Sequence, residues 1–275
     1  MVNWKLILGS AVIIAGLVIP VSGHTAGNLP VTSDTRQSYA DLKNAVVSAY
    51  AGKKPVEWGE TVTGVKTSLA TKERVIALTL DACGSPTGKG IDARLIDFLV
   101  REQVPATLFI NSRWIDANPE LFLKLARNPL FTIANHGLLH KPASVNGRSV
   151  YGISGTKDLG ELVDEIELNA EKIRRLTGKR PVFYRSGTAY YDEIAVQVAE
   201  KLGHKVIGFS VLGDAGATFT REQVTAAFLK SVPGSIVIAH MNHPESGTGK
   251  GIMAAVPQLK KKGFRFVSLS DYPLR

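Results

Sequence analysis

The sequence predicts an α/β fold, namely a distorted seven-stranded parallel (β/α) barrel preceded by a short N-terminal extension. From Arg74 onward, short apolar and β-branched runs alternate with amphipathic stretches. This alternation is typical of a buried parallel sheet with helices on its outside. Seven such units in about 200 residues suit a closed or nearly closed barrel. A doubly wound open sheet is the alternative.

The individual elements follow from apolar runs and from the residues that punctuate them. Asp92 and Thr220 stand where helix N-caps belong, and Gly178 and Gly203 follow helical stretches as C-terminal stops. The predicted strands are 75–80, 106–111, 131–134, 182–184, 206–211, 235–239 and 264–269. The predicted helices are 92–102, 119–127, 157–176, 191–202, 220–231 and 251–262.

Residues 1–26 have the order of a secretory signal peptide. Lys5 precedes an apolar run that ends near Val21, and small residues follow. A retained membrane anchor is the alternative, although a run of about sixteen residues is short for a span of about 20. We therefore expect an exported protein, periplasmic or extracellular, or held at the inner membrane if the segment is uncleaved. Residues 27–72 would be an N-terminal extension and 73–275 the catalytic domain.

Composition restricts the partners and the metal chemistry. The 33 Lys and Arg residues exceed the 24 Asp and Glu residues, which favours anionic surroundings such as a cell-wall polymer. The sequence contains no basic helix with regularly placed arginines, so nucleic-acid binding is not predicted. Cys83 is the single cysteine, so an intramolecular disulfide and a cysteine-based zinc finger are excluded. Any metal must be held mainly by His, Asp and Glu, and Cys83 itself is interpreted as a packing residue rather than a nucleophile.

Polar side chains follow five of the seven predicted strands. In a parallel barrel or open sheet, the carboxyl ends of the strands carry the active residues. The residues at these ends are Asp81; Asn135, His136 and His140; Arg185; Asp214; and His240 and His243. This clustering predicts one site at that edge of the sheet.

His136 and His140 are the strongest single feature. Two imidazoles four residues apart can bind one ion, and a nearby carboxylate such as Asp81 would leave positions open for water and substrate. Such a set is typical of a catalytic metal site. The glycines that follow Asp81 do not match a phosphate-binding loop, and no Gly-x-Ser-x-Gly sequence indicates a serine hydrolase.

Taken together, these residues resemble the NodB-like polysaccharide deacetylases, the fourth family of carbohydrate esterases. The likeness spans about residues 74–270. Five segments occur in the family's order: Thr79-Leu80-Asp81, His136 to His140, Phe183 to Gly187, Gly213-Asp214 and Ile238-Ala239-His240. The resemblance implies a barrel of NodB-homology type that removes acetyl groups from an amino-sugar glycan with a divalent metal, often zinc.

The resemblance also implies a role for each residue. The metal would be held by His136, His140 and a carboxylate. Asp81 matches the family's general base by position, whereas by need it could be that metal ligand, and both roles stay open. Arg185 would hold Asp81 by a charge-assisted hydrogen bond. His240 would protonate the leaving amine, with Asp214 orienting it.

Three departures from the family pattern mark a divergent branch. Ala82 stands where the family has a second aspartate, and no prolines follow Arg185. His240 continues into a segment with His243 and Glu245, which could shape the substrate site or supply a missing role. Two other functions therefore stay open: another metal-dependent hydrolase such as an O-acetyl esterase, and a non-catalytic glycan-binding protein.

Overall fold

A computed structural model describes residues 33–275 of the chain. The predicted export segment, residues 1–26, lies outside the described residues and stays a prediction. Within 33–275, no helix combines the length and the apolarity that crossing a bilayer requires. Residues Ala40–Arg275 form one compact unit, to which all the sites discussed below belong.

Strands and helices alternate along the described chain as the sequence predicts. The helices are α1 Ser33–Tyr50, α2 Ala93–Arg101, α3 Ser112–Ala117, α4 Pro119–Arg127, α5 Leu159–Thr177, α6 Glu193–Lys201, α7 Arg221–Leu229 and α8 Thr248–Lys261. The strands are β1 Val75–Ala82, β2 Ala106–Ile110, β3 Phe131–Asn135, β4 Phe183–Tyr184, β5 Lys205–Val206, β6 Val211–Leu212, β7 Ser235–His240 and β8 Arg265–Val267.

The predicted helix N-caps are confirmed. The Asp92 carboxylate accepts a hydrogen bond from the backbone N–H of Leu95 at 3.1 Å, which satisfies one of the free amides at the start of α2. Thr220 forms a reciprocal capping box with Gln223 at the start of α7. Asp92 therefore has a structural role as the N-cap of α2.

All strand pairs in the sheet are parallel. The order is β5-β4-β3-β2-β1-β7-β6, and β8 pairs with β1. The central strand β1 is buried at every position, because helices cover one face and the curled sheet encloses the other. The predicted distorted barrel is confirmed.

One predicted strand, residues 206–211, divides into two and thereby closes the barrel. Its first part, β5, bonds to β4 at one edge of the sheet, and its second part, β6, bonds to β7 at the other edge. Between them, Ile207 N–H donates to Tyr184 O, and Ser210 N–H donates to Ile236 O. Residues 207–210, which we call the seam, therefore join the two edges that an open sheet would leave apart.

The segment before β1 contributes isolated bridges rather than a strand. Lys66 N–H donates to Val206 O and Lys66 O accepts from Gly208 N–H, so this residue lies directly against the seam. Ser68 bridges to Ser235, the first residue of β7. The segment thus covers the place where the sheet is not continuous.

The two faces of β1 enter different cores. Its even-numbered residues, which include Ala82, pack in the layer between the sheet and the helices. Val75 and Ala77 pack in a second core inside the curled sheet. Side chains alternate along a strand, so Thr79 and Asp81 continue this inner face toward its carboxyl end. Polar groups that follow on the same face therefore lie at the mouth of the barrel.

Candidate metal centre and acid–base groups

Asp81 is held by Arg185 at the inner face of the barrel. The guanidinium Nη1 donates to Asp81 Oδ1 at 2.8 Å and to Thr79 Oγ1 at 2.9 Å. Its Nε and Nη2 donate to the seam carbonyls of Ile207 and Gly208, at 3.1 and 2.9 Å. Arg185 is 0% exposed and Asp81 2%, so the pair is shielded from water. The carboxylate consequently has one fixed orientation.

His136 presents one ring nitrogen to this carboxylate. Its Nδ1 lies 3.0 Å from Arg185 O, and because a carbonyl can only accept, Nδ1 carries the proton. Its Nε2 then lies 3.7 Å from Asp81 Oδ2 and 3.8 Å from Cys83 Sγ. Burial by itself lowers the pKa of His136, but Asp81 and Cys83 more than offset it, and the pKa is raised.

His140 completes a cluster of three donors. Its ring meets that of His136 edge-on, with centroids 4.9 Å apart. Its Nε2 is buried without a hydrogen-bond partner. The ligand atoms of Cys83, His136 and His140 all lie within 4.8 Å of one another. A thiolate and two imidazoles are ligands that zinc accepts, so this cluster fits a divalent metal.

Cys83 lies in the site rather than under it, contrary to the packing role expected from sequence. It is part-exposed, and ring nitrogens of His136 and His140 lie within 4.8 Å of its sulphur. Burial alone would raise the pKa of the Cys83 thiol. The rings of His140, His136 and His240 reverse this and lower that pKa well below its usual range. The thiolate is thus the form that this environment favours.

A buried glutamate fixes the loop 136–141 that carries the two histidines. Glu165 of α5 accepts hydrogen bonds from the backbone N–H groups of Leu139, at 2.9 Å, and Lys141, at 3.1 Å. Gly137 has φ +76°, and a Cβ there would meet the Glu165 carboxylate. Burial raises the pKa of Glu165, although these amide hydrogen bonds oppose it.

His240 and Asp214 form a second pair at the same edge. His240 Nδ1 lies 2.9 Å from Asp214 Oδ1, and its backbone N–H donates to Oδ2 at 2.7 Å. Thr248 Oγ1 also donates to Oδ2, at 2.8 Å. Burial would lower the pKa of His240, but the Asp214 carboxylate raises it well above its usual value. The imidazolium is therefore favoured, and Cys83 adds to this effect.

The structure leaves two of the sequence candidates apart from this site. His243 Nδ1 lies 3.0 Å from Glu245 Oε1, and the two pair with each other. The Glu245 side chain is 69% exposed. This pair therefore belongs to the loop after β7, and neither residue joins the metal-ligating cluster.

Sequence reasoning missed three residues that build the site. Cys83 could have been found from strand periodicity, because position 83 falls on the same face as Asp81, whereas Ala82 faces the outer core. Glu165 and Thr248 carry no comparable signal. Each acts through a contact between elements that are distant in the chain, and only the fold brings them to the site.

Comparison with protein families finds one match over half of the chain. Residues 68–207 match the polysaccharide deacetylase family model. A curated relative, the peptidoglycan-N-acetylglucosamine deacetylase of Bacillus cereus, is 25% identical over 203 residues. This alignment covers 72% of the present chain and 88% of the relative.

Solved structures share the fold. Bacillus subtilis PdaA, a family 4 carbohydrate esterase, superposes with a TM-score of 0.62 at 21% identity, covering 83% of this chain and 87% of that chain. A pseudoenzyme of the same esterase family from Bacillus anthracis gives 0.61 at 19% identity, covering 75% and 67%. The same fold thus occurs in a protein named as a carbohydrate esterase and in one named as a pseudoenzyme, so activity must be argued from the residues of the site.

Proposed function

The chain belongs to the polysaccharide deacetylase family, and from that premise we propose that it removes N-acetyl groups from an amino-sugar polysaccharide. The substrate class is a cell-wall or secreted glycan. The Bacillus cereus relative is named for N-acetylglucosamine in peptidoglycan. An excess of cations over anions suits an anionic cell-wall polymer. The proposed location is outside the cytoplasm, periplasmic or extracellular, as the signal-like residues 1–26 predict.

One observation carries the proposal: a candidate base and a candidate acid lie side by side. Asp81 and His240 are register partners on the neighbouring strands β1 and β7. Each is held by a buried partner, Arg185 for the first and Asp214 for the second. Amide hydrolysis needs a proton removed from water and a proton given to the departing nitrogen. Two positioned groups with opposite tasks meet that need.

The metal is proposed to be Zn²⁺, held by His136 and His140 together with a third donor that is considered below. The open Nε2 atom of His140 and the fixed Nε2 of His136 suit this role. When bound, the ion supplies Lewis-acid polarisation of the acetamide carbonyl and a lower pKa for the attacking water.

Asp81 is proposed as the general base. Its carboxylate accepts the proton of the attacking water, while Arg185 fixes the direction of its oxygens. The surrounding burial excludes bulk water, which strengthens these charge-assisted contacts. The role of metal ligand is thereby left to other residues.

His240 is proposed as the general acid. An amine leaves poorly from a tetrahedral carbon unless its nitrogen is protonated, and the raised pKa of His240 keeps a proton available near neutral pH. Asp214 holds the Nδ1–H, so that Nε2–H is the proton delivered. The same Asp214 stabilises the imidazolium before transfer.

The test is acetate release from an N-acetylated cell-wall glycan by the purified protein. We expect release that stops on addition of a chelator and returns with zinc. An Asp214→Asn variant serves as a matched control, because it keeps the metal-ligating residues but weakens the acid. Absence of acetate from a folded, metal-loaded protein would overturn the deacetylase assignment.

A non-catalytic glycan-binding function is the outcome that such a failure would favour. Two observations motivate it: the family's second aspartate is missing at Ala82, and one structural neighbour is a pseudoenzyme. Retention of both the Asp81–Arg185 and the His240–Asp214 pairs speaks against it. Binding of the glycan with no acetate release would identify it directly.

A further inference from the structure

We infer that the Cys83 thiolate is the third protein ligand of the metal, in place of the aspartate that the family has after its base. This inference rests on the proposed metal dependence of the chain. It leaves Asp81 free to act on water.

Strand periodicity gives position 83 access that position 82 lacks. Ala82 is 0% exposed and packs in the outer core with residues of the helices. The next residue along the strand direction turns back to the inner face, where Asp81 meets Arg185. Cys83 directly follows β1, and its sulphur reaches the site, 3.8 Å from His136 Nε2.

The donor atoms converge on one point. Cys83 Sγ, a nitrogen of His136 and a nitrogen of His140 lie within 4.8 Å of one another. Among the described residues, this is the one group of three potential ligands that meets that distance. Tetrahedral sites with three protein ligands and one open position are the usual form of catalytic zinc.

Asp81 is less suited to be the third ligand. Its Oδ1 already accepts from Arg185 at 2.8 Å, and its Oδ2 lies 3.7 Å from His136 Nε2. A guanidinium in direct contact competes with a cation for the same carboxylate. The geometry instead suits a carboxylate that acts beside the metal.

The ring of His136 and the backbone of His140 are each held by a neighbouring backbone segment. The Nδ1 of His136 is committed to Arg185 O, which leaves Nε2 for the site. The backbone of His140 is in contact with Gly187, where a Cβ would collide with it. Loss of such supporting contacts in metal sites costs about 10–100-fold in metal affinity.

Binding of the metal requires the Cys83 thiol to lose one proton. The S–H bond of Cys83 breaks, the sulphur keeps the electron pair and uses it to bind the ion, and the proton passes to water. Nothing is oxidised or reduced. A sulphur ligand also shifts the site toward zinc and cobalt and away from magnesium or calcium.

The competing role for Cys83 is that of a covalent nucleophile. In enzymes with such a nucleophile, a base and a group that orients the base lie beside the cysteine, and His240 and Asp214 could fill these two positions. A nucleophile needs a single adjacent base. Here two further imidazoles, those of His136 and His140, surround the same sulphur, and that arrangement favours a ligand.

The experiment uses cobalt as the probe, with the full chain stripped of metal and reloaded. We expect a single Co²⁺ per chain and a near-ultraviolet sulphur-to-cobalt charge-transfer band. Because Cys83 is the only cysteine, the band has one possible source. Cobalt should also slow alkylation of the thiol by iodoacetamide about tenfold or more, since the free thiolate is the reactive form.

Three variants separate the roles. Cys83→Ser should lose the band and lower zinc affinity by about 10–100-fold or more. Cys83→Asp should bind cobalt without the band, because carboxylate is also a zinc-type ligand. Asp81→Asn should keep the band while losing acetate release. Circular dichroism verifies that each variant is folded.

Cobalt bound in a single site without the band would overturn the inference, and so would a band that Asp81→Asn removes. An acetyl thioester on Cys83, trapped with an activated acetate ester and found by mass spectrometry, would assign the nucleophile role instead. A protein that shows the band yet releases no acetate would refute only the proposed deacetylation. Acetate release without the band would refute only the ligand.

Discussion

The molecule holds two groups of an arginine, a carboxylate and a histidine with similar distances, one fully buried and the other exposed at its arginine. The upper triad is Asp81, Arg185 and His136, and the lower triad is Glu167, Arg180 and His204. The Arg–carboxylate distances are 2.8 and 2.5 Å, and the His–carboxylate distances are 3.7 and 3.6 Å. By composition and spacing alone, either could be taken for a catalytic group.

Their surroundings distinguish them. The upper triad lies at the carboxyl ends of β1, β3 and β4, with Cys83 and His140 directed toward it. In the lower triad, Glu167 lies on α5, and Arg180 and His204 precede the amino ends of β4 and β5, where Arg180 also donates to Leu202 O at 2.9 Å. An unpartnered imidazole nitrogen is not the difference, because Nδ1 of His204 has no partner either. The convergence of further ligand atoms is what marks a site.

The largest expected effect separates the two carboxylates. Asp81→Asn should reduce acetate release by about 10²–10⁴-fold, because the general base is lost while an oxygen remains to accept from Arg185. Glu167→Gln should leave turnover near the wild-type value. Both are measured at saturating glycan on metal-loaded protein. Equal losses in the two variants would mean that the triads do not differ in function.

The next effect tests whether the acid lies outside the upper triad. His240→Ala should slow hydrolysis of an N-acetyl glycan by about 10²-fold or more, because the amine leaves unprotonated. An O-acetyl ester of the same sugar should be slowed less, since an alkoxide needs less help. A similar slowing of both substrates would argue against His240 as the proton donor.

A smaller effect is expected on the contribution of the lower triad to the free energy of unfolding of the protein. Burial would raise the pKa of Glu167, but His204 and Arg180 reverse this and lower it. The folded-state pKa is then below the usual 4.5, so the stabilisation is present above about pH 4.5 and is lost as the pH falls through the folded value.

Glu167→Gln should accordingly lower the free energy of unfolding by about 1–2 kcal/mol at neutral pH, because the acceptor of the Arg180 hydrogen bond loses its negative charge. Partial exposure of Arg180 limits the loss. The difference in Tm from the wild type should shrink as the pH is lowered below 4.5. A difference that is constant from pH 7 to pH 3 would be inconsistent with the ion pair as its origin.

The smallest effect concerns a carboxylate that belongs to neither triad. Asp92→Ala removes the cap of α2 and should cost about 0.5–2 kcal/mol in urea unfolding, with turnover unchanged. Asp92→Asn, which keeps the capping oxygen, is the control and should recover most of the stability. A loss of acetate release in both variants would place Asp92 in the chemistry instead.

The sequence predicted the barrel because its buried strands are continuous apolar runs, a signal that does not depend on distant contacts. It could not predict that residues 206–211 divide, since that division depends on which edges of the curled sheet meet. Helix α3 was also missed, because it has only six residues and its N-cap, Asn111, directly follows β2. Helix caps were predictable because their hydrogen bonds are local.

Prediction of the site also depended on whether a signal is local or arises from contacts between distant parts of the chain. Asp81, His136, His140, Arg185, Asp214 and His240 could be named because they stand at strand ends, and their catalytic roles stay proposals. The sequence-level rule that metals here need His, Asp and Glu led away from Cys83, since counting cysteines treats them as pairs or fingers. One thiol among imidazoles is a three-dimensional property. Glu165 was invisible for the same reason.

The seam has a dynamic consequence. Arg185 is bonded at once to Asp81 and to the carbonyls of Ile207 and Gly208, where the barrel lacks a continuous ladder. Any local opening of 207–210 therefore removes two of the contacts that hold Arg185, the orienting partner of the base. The fraction of molecules in which residues 207–210 are closed therefore sets an upper limit on the fraction that can catalyse the reaction. When the protein is warmed, the rate of hydrogen exchange at the Ile207 and Ser210 amides should accordingly rise over the temperature range in which turnover is lost.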